Sequence, residues 1–480
     1  MGLAYNYAGL LLTETVTNGI LDGWSVANGY DSMLRRTRVS LEKDTTEYQK
    51  ASFGYDAGGR LGSVTDGLST ALKATYSYAS NSPLLSSIAF TNNGTGQGMV
   101  TAKSHDDVNR LLSISSMPQG TSPPSQPIGF AYQLNAANQR IRSDREDGSS
   151  WQYQYDDLGQ VISGHRYWAD GSEIPGQQFE YAFDTIGNRI WAGGRASAEG
   201  VYANNRLNQL TIREVPGVVD VLGLANPTAD VTVNGNVAGR SGEYFHHELA
   251  VSNSTNAQYP DITVLSLYGS QQSSTGKVFV AKHPESFSYD EDGNLTSDGR
   301  WTYTWDGENR LIEMKRDTDT PAGARQRLVF EYDYQGRRIH KQTYTYGSGW
   351  QEEQDIAFAY DGWNLLGELA INASNVASPL RTYLWGLDLS GSEQGAGGVG
   401  GLLKITDYTS GTTHHFVAYD GNGNVAGLVN STHASVSARY EYGPFGEAIR
   451  ATGPMAANNP IRFSSKYTDQ ESGLLYYGYR

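Results

Sequence analysis

Tyr55-Asp56-Ala57-Gly58-Gly59-Arg60-Leu61 is a turn written out in residues. An aspartate placed after an aromatic can accept a hydrogen bond from backbone two residues on, forming an Asx-turn. Glycine then takes the left-handed conformation that other residues resist. The aromatic before the turn and the aliphatic after it sit on flanking strands, where they can pack as a cross-strand or diagonal pair. The segment predicts a β-hairpin with a three-to-five-residue loop and a bulge.

One such segment would mean little. Copies recur at His105-Asp106, Tyr155-Asp156, Phe183-Asp184, Tyr289-Asp290, Trp305-Asp306, Tyr332-Asp333 and Tyr419-Asp420. Weaker ones begin at Tyr132, Tyr202, Tyr360 and Tyr442. Between turns the sequence alternates, as in Trp151-Gln152-Tyr153-Gln154-Tyr155 and Trp301-Thr302-Tyr303-Thr304-Trp305. A period of two puts rings on one strand face and polar groups on the other. Single hairpins are marginal in water, so the array needs its neighbours to bury apolar surface. No long helical period stands out; 318–325 reads as a short helical turn or a loop.

Composition agrees. Of 480 residues 56 are glycine, where about 7% is usual. There are 32 tyrosines against 13 phenylalanines, and only 38% of residues are hydrophobic. Many short, tyrosine-faced strands suit such a chain better than one thick aliphatic core. The net charge of -15 argues against a general affinity for nucleic acid or anionic membrane. With no cysteine, disulfides and cysteine-zinc sites are excluded. No apolar run is long enough for a membrane-spanning helix. Met1-Gly2-Leu3-Ala4-Tyr5 lacks the charged and apolar regions of a signal peptide. It reads as mid-strand sequence, so the chain is expected to begin inside a larger protein.

These repeats resemble the YD repeats of bacterial Rhs proteins and of the teneurin YD shell. Tyr440-Glu441-Tyr442-Gly443-Pro444-Phe445-Gly446-Glu447 is similar to the Y-x-Y-x-P-F-G-E segment of the Rhs-associated core. The run from Arg462-Phe463 through Lys466, Asp469, Glu471, Gly473-Leu474 and Tyr476-Tyr477 to Arg480 resembles the R-F-x-x-K-x-x-D-x-E-T-G-L-x-Y-Y-x-x-R run of that core. The resemblance implies an all-β fold: a spiralling antiparallel hairpin strip forming a shell or cage wall, which leaves few exposed sheet edges. It also implies a role as a structural shell fragment that encapsulates a C-terminal, toxin-like polypeptide in a longer parent. The parent's own cargo domain is then the expected partner, with a secretion-system or cap protein beside it. The expected location is secreted or at the cell surface. By analogy with teneurins, the alternative is a cell-surface adhesion or carbohydrate-binding scaffold.

Four regions follow: shell repeats over 1–211, a β-rich insertion over 212–286, further repeats over 287–450, and the start of the core over 451–480. Asn234-Gly235 in the insertion signals a type I′ hairpin. The insertion is either a small sandwich-like module, with carbohydrate as one candidate ligand, or an elaboration of the shell.

Candidate chemistry is sparse. His246-His247 and His414-His415 are adjacent pairs, and neighbours on a strand face opposite ways, so neither pair should chelate one metal ion. Asp290, Asp306, Asp333 and Asp420 read as turn formers. Asp290 to Asn294 lacks the bidentate glutamate of a calcium loop. Gly395 to Gly401 has no Lys-Ser/Thr after it, so a flexible turn is expected in place of a phosphate cradle. No cofactor or metal is expected. In the resembled family the core continues into R-Y-Y-D-P-x-x-G-R-F-x-x-x-D, an intramolecular aspartic protease. Arg480 matches its first arginine, and both aspartates would lie beyond it. Asp469 and Glu471 precede the motif and are not expected to replace it. The expectation is therefore a chain without enzymatic activity of its own.

Overall fold

The computed structural model describes residues 1–120, 126–194, 199–316 and 318–478. Its turns are the ones the repeat calls for. Asp56 Oδ1 accepts the N–H of Arg60 at 2.9 Å, and Asp56 Oδ2 accepts Arg60 Nε at 2.8 Å. The backbone closes with Gly59 N–H on the Asp56 carbonyl, and Gly59 sits at φ +79°. Asp306 with Arg310 and Asp333 with Arg337 repeat the arrangement. Register then slips by one residue at the aromatic, between Gly54 and Tyr55 and again between Glu331 and Tyr332. That slip is the bulge that lets the strip bend at each hairpin.

The aromatic does more than fill space. The hydroxyls of Tyr30, Tyr55, Tyr78, Tyr155, Tyr289, Tyr332, Tyr360, Tyr419 and Tyr442 each donate to a backbone carbonyl at 2.7–3.1 Å. The acceptor is always the residue that leaves the preceding turn of the row: Arg36 for Tyr55, Leu61 for Tyr78, Leu402 for Tyr419. Trp305 and Trp385 make the same bond through Nε1, and Asn204 through its amide. Most copies thus use a polar tip at this position, which fits the excess of tyrosine over phenylalanine, although Phe183 fills the same place without one. Exit arginines stack on the next ring, with Arg60 4.1 Å over Tyr78 and Arg35 4.5 Å over Tyr55. Tyr419→Phe strands the buried Leu402 carbonyl and should cost about 1–3 kcal/mol. Tyr55→Phe, half-exposed, should cost less because water can reach the Arg36 carbonyl. Urea midpoints of the two variants check the ranking.

Among the described residues, each strand from Gly2–Tyr5 to Leu210–Arg213 pairs antiparallel with the strand before and after it. The order resumes from Ser288–Tyr289 to Ala448–Thr452. These 19- and 14-stranded sheets are one strip. Ile212 and Arg213 pair with Ser286 and Glu285, and Phe287 N–H bonds to the Thr211 carbonyl. The Tyr289 hydroxyl reaches the Leu210 carbonyl at 2.9 Å, so the repeat bond is kept across the interruption.

The interruption holds two small sheets, one of Val218–Leu224, Tyr244–Ala250 and Gly239–Ser241, the other of Asp230–Val233, Asn236–Val237, Asp261–Tyr268 and Ser270–Lys277. Val221, Val231, Val233 and Phe245 form their shared core. Asn234 and Gly235 both have positive φ, as a type I′ turn demands. A 3-10 turn at Ala322–Ala324 lies within the stretch left open as a short helix or loop.

The strip folds back on itself. Cross-links join Glu14 to Arg337, Arg36 to Asp361, Asp66 to Lys404, Phe90 to Phe416, Arg166 to Glu441 and Tyr181 to Glu447. Both numbers climb together, with Tyr76 on Leu387 a local exception. The second half retraces the first in the same direction, as a winding strip must. It covers the path with less chain, so it lies on the inner track.

One expectation needs correction. The expected alternation, rings on one strand face and polar groups on the other, leaves an open polar face along much of the first half but not on the inner track. Asn364–Ile371, Leu402–Asp407 and Val425–Asn430 are almost wholly buried. Neighbouring residues show why. Arg337 reaches Glu14 while Arg338 reaches Asp469. Gly367 lies against Leu41 while Glu368 bonds Tyr467. Glu441 meets Arg166 while Tyr440 donates to Ala456. One face is covered by the first half and the other by the segment 453–478. Gly427 allows the close approach, since a Cβ there would stand 2.5 Å from Ile128.

Candidate functional site

The densest polar site lies where first half, second half and insertion meet. Glu441 is fully buried and is held by Arg166 at 2.8 Å, Arg145 at 3.1 Å and Arg450 at 3.4 Å. Tyr244, on the insertion strand Tyr244–Ala250, donates its hydroxyl to Glu441 at 2.9 Å. Arg166, also fully buried, further binds Asp147, Ser149 and Gln177. Burial alone would raise the Glu441 carboxyl, but the three guanidinium charges outweigh it and hold the group well below the usual carboxylate range. The sequence signal was available in part: Glu441 stands between the two tyrosines of Tyr440-Glu441-Tyr442, on the face opposite their rings.

Asp469 and Glu471 lie together under the inner strands. Arg338 grips both Asp469 oxygens at 2.7 and 3.1 Å, and Lys341 bridges Asp469 to Glu471 at 3.0 Å. Burial opposes ionisation of Asp469, yet the two cations win and lower its pKa. Held this way, Asp469 anchors the segment 453–478 and is poorly suited to share a proton. Arg480 lies outside the described residues.

The histidines do not converge. His246 pairs with Asp220 at 2.9 Å. His414 meets Thr406, and His415 meets Ser437 and Thr413. Burial, with the Lys404 charge added at His414, pushes both down to about 4. Their folded values lie below the usual 6.5 or so. Their contribution is complete above that pH and is lost as pH falls toward 4, because the unfolded chain takes the protons first. Replacing both by Gln should flatten the stability slope between those pH values, read by thermal melts across the range. Among the described residues no group of three or more His, Cys, Asp or Glu is placed to hold a metal ion.

The glycine-rich loop has an internal anion. Asp388 Oδ2 accepts the N–H groups of Ala396 and Gly398 at 2.7 and 3.1 Å, where a phosphate would have to sit. Asp290, Asp306, Asp333 and Asp420 all serve their turns.

A further opening lies beside Glu441. A cleft of about 320 Å³ separates the strands around Phe130–Trp151 from Asp420, Tyr440, Tyr442 and Phe463. Sequence reasoning could not find it, because its walls come from strands nearly 300 residues apart that meet only once the strip has folded back. No helix among the described residues is long and apolar enough to cross a membrane.

No family model matches the chain. Over 194 residues, 40% of its length, it is 29% identical to the tRNA3(Ser)-specific nuclease WapA of Bacillus spizizenii. It is 27% identical over an equal stretch to the tRNA nuclease WapA of Bacillus subtilis strain 168. The match spans 7% of the length of each relative. Solved structures that superpose on it include TcdB2-TccC3-Cdc42, with a TM-score of 0.40, 12% identity, and coverage of 100% of this chain and 25% of that one. TcdB2-TccC3 superposes with a TM-score of 0.39 and 14% identity, covering 98% and 26%. At those scores the superpositions carry no inference about function.

Proposed function

We propose that this chain is a structural wall segment: a coiled β-strip that helps enclose a C-terminal polypeptide in a longer, exported, toxin-like protein, with no enzymatic activity of its own. The observation that carries the reading is the ordered seam, in which the second half of the strip retraces the first from Glu14–Arg337 to Tyr181–Glu447. A strip that winds over itself in one direction builds a wall, and local pairing lets it be extended repeat by repeat. The buried charges described above are taken up by links between layers. The relatives are named as tRNA nucleases, yet they share only 7% of their length with this chain. A nuclease in the parent of this chain would then sit outside the strip.

Electron microscopy of the polypeptide encoded by the whole reading frame tests the wall. A lumen lined by the strip and filled by downstream chain is expected; a solid particle would overturn the reading. Mass measurement of the 480-residue chain after incubation tests the absence of activity, since a specific internal cut would contradict it.

A further inference from the structure

We infer that Lys404 and Asp66 react with each other to form an amide bond, a covalent cross-link that ties the second half of the strip to the first. The inference goes beyond the wall reading and does not depend on it. It is a single reaction of the chain with itself and acts on no outside substrate.

The fold brings the two groups together and isolates them. Asp66 ends the strand Leu61–Asp66, and Lys404 lies in the strand Leu402–Asp407, 338 positions later. Lys404 is 6% exposed and Asp66 3%. Lys404 Nζ donates to Asp66 Oδ2, and neither group has another ion-pair partner among the described residues. Two charges out of water are costly even when paired. Burial favours the uncharged forms and lowers the pKa of Lys404. Passing one proton along the hydrogen bond turns ammonium and carboxylate into amine and carboxylic acid, the pair that can condense. Lys341 and Asp469 are the contrast: Arg338 grips both Asp469 oxygens and keeps that carboxylate charged.

The neighbours are placed for the attack. A nitrogen in contact with Oδ2 is only one C–O bond further from Cγ, and such fixed proximity removes much of a condensation barrier. Leu68 N–H donates to Asp66 Oδ1 at 3.0 Å, the oxygen on which charge develops as nitrogen adds. Thr406, two residues from Lys404 and on the same strand face, accepts from Nζ at 2.8 Å and lies 3.0 Å from His414 Nδ1. Burial and the Lys404 charge push His414 down to about 4, so its neutral ring can accept the Thr406 proton and leave the hydroxyl oxygen facing Lys404. Thr406 is thus a positioning residue for the amine.

The step balances within the pair. The Nζ–Cγ bond forms and the Cγ–Oδ2 bond breaks. Oδ2 leaves as water, carrying the proton already transferred and one shed by the nitrogen. One ammonium and one carboxylate become one neutral amide and one water, with no co-reactant. A cavity of about 230 Å³ beside the pair has room for that water. Gln49 lines it, and neither polar atom of its buried amide has a partner among the described residues. The pair as it stands is the unreacted state, in which noncovalent contacts alone hold the layers.

Intact mass and tryptic mapping of the whole chain, followed over days after purification, test the inference. A mass lower than that of the sequence by one water is expected. So is a branched peptide joining the Asp66 and Lys404 segments, with no cleavage after Lys404. Lys404→Arg keeps the charge but removes the amine and should abolish both; Lys404→Met replaces it if arginine does not fold. Thr406→Val should slow linking in freshly translated chain roughly 10-fold at unchanged melting temperature, the worth of one hydrogen bond. A succinimide between Asp66 and Gly67 would lose the same mass, although the Gly67 N–H is held by the Lys50 carbonyl at 2.8 Å. It would give no branched peptide and would persist in Lys404→Arg. That result overturns the inference, as does a wild-type chain that keeps its full mass or a branch that maps to another pair.

Discussion

Glu441→Ala is expected to lower folding stability by about 3–5 kcal/mol, the cost of breaking a buried ion pair by removing one partner. Arg166 would keep Asp147, but Arg145 has no other carboxylate within ion-pair reach among the described residues. Tyr244 would lose the acceptor that ties the insertion to the inner track. Chemical denaturation should show the loss as a lower midpoint with little change in slope. A variant that melts with the wild type would show that water reaches the site. pH gives a second reading with a definite sign. The folded pKa of Glu441 lies below its unfolded value of about 4.3. Its contribution is therefore complete above that pH and drains away as pH falls through the folded pKa. Glu441→Gln should remove that part of the acid slope, so wild type and variant converge in stability as the solution is acidified.

Asp469→Ala should have a comparable effect, about 3–5 kcal/mol, and a different geography. It leaves Arg338 buried with no carboxylate, while Lys341 keeps Glu471. The segment 453–478 should loosen before the sheets do. Limited proteolysis is the suitable reading: cuts confined to that segment are expected at denaturant concentrations where the wild type resists. Glu471→Gln, at a less buried site, should do little. Equal protease resistance in Asp469→Ala and wild type would remove the anchor role.

The turns were the most legible part of this protein. Asp, two or three free positions, then Gly or Asn is a local device, and Asp56 and Gly59 act within five residues of each other. The tyrosine bond was not legible, because the Tyr55 partner, Arg36, sits nineteen residues earlier and is a backbone carbonyl with no sequence mark. The inner track was legible only in part. Leu402-Leu403-Lys404-Ile405 reads as a run buried on both faces. Lys404 obscures it, since its need for Asp66 appears only after the strip has folded back. Asp469 shows the same limit from the other side. A carboxylate near a resembled protease motif invites an acid–base role, and only Arg338 and Lys341, 131 and 128 residues away, reveal it as an anchor. The cleft depends on that folding too, having no existence in any single hairpin.

The layering also sets a mechanical order. Outer layer, inner layer and terminal segment follow one another along the chain, and each strand is bonded to its predecessor. Force applied to the C-terminal end would meet Asp469 and its two cations first. It would then peel the inner track hairpin by hairpin, each step breaking a tyrosine or tryptophan tether to the row before. The outer layer would yield last. A single-molecule pulling trace should therefore show an initial peak followed by a ladder of evenly spaced small ones; a single cooperative rupture would mean that the layers fail together.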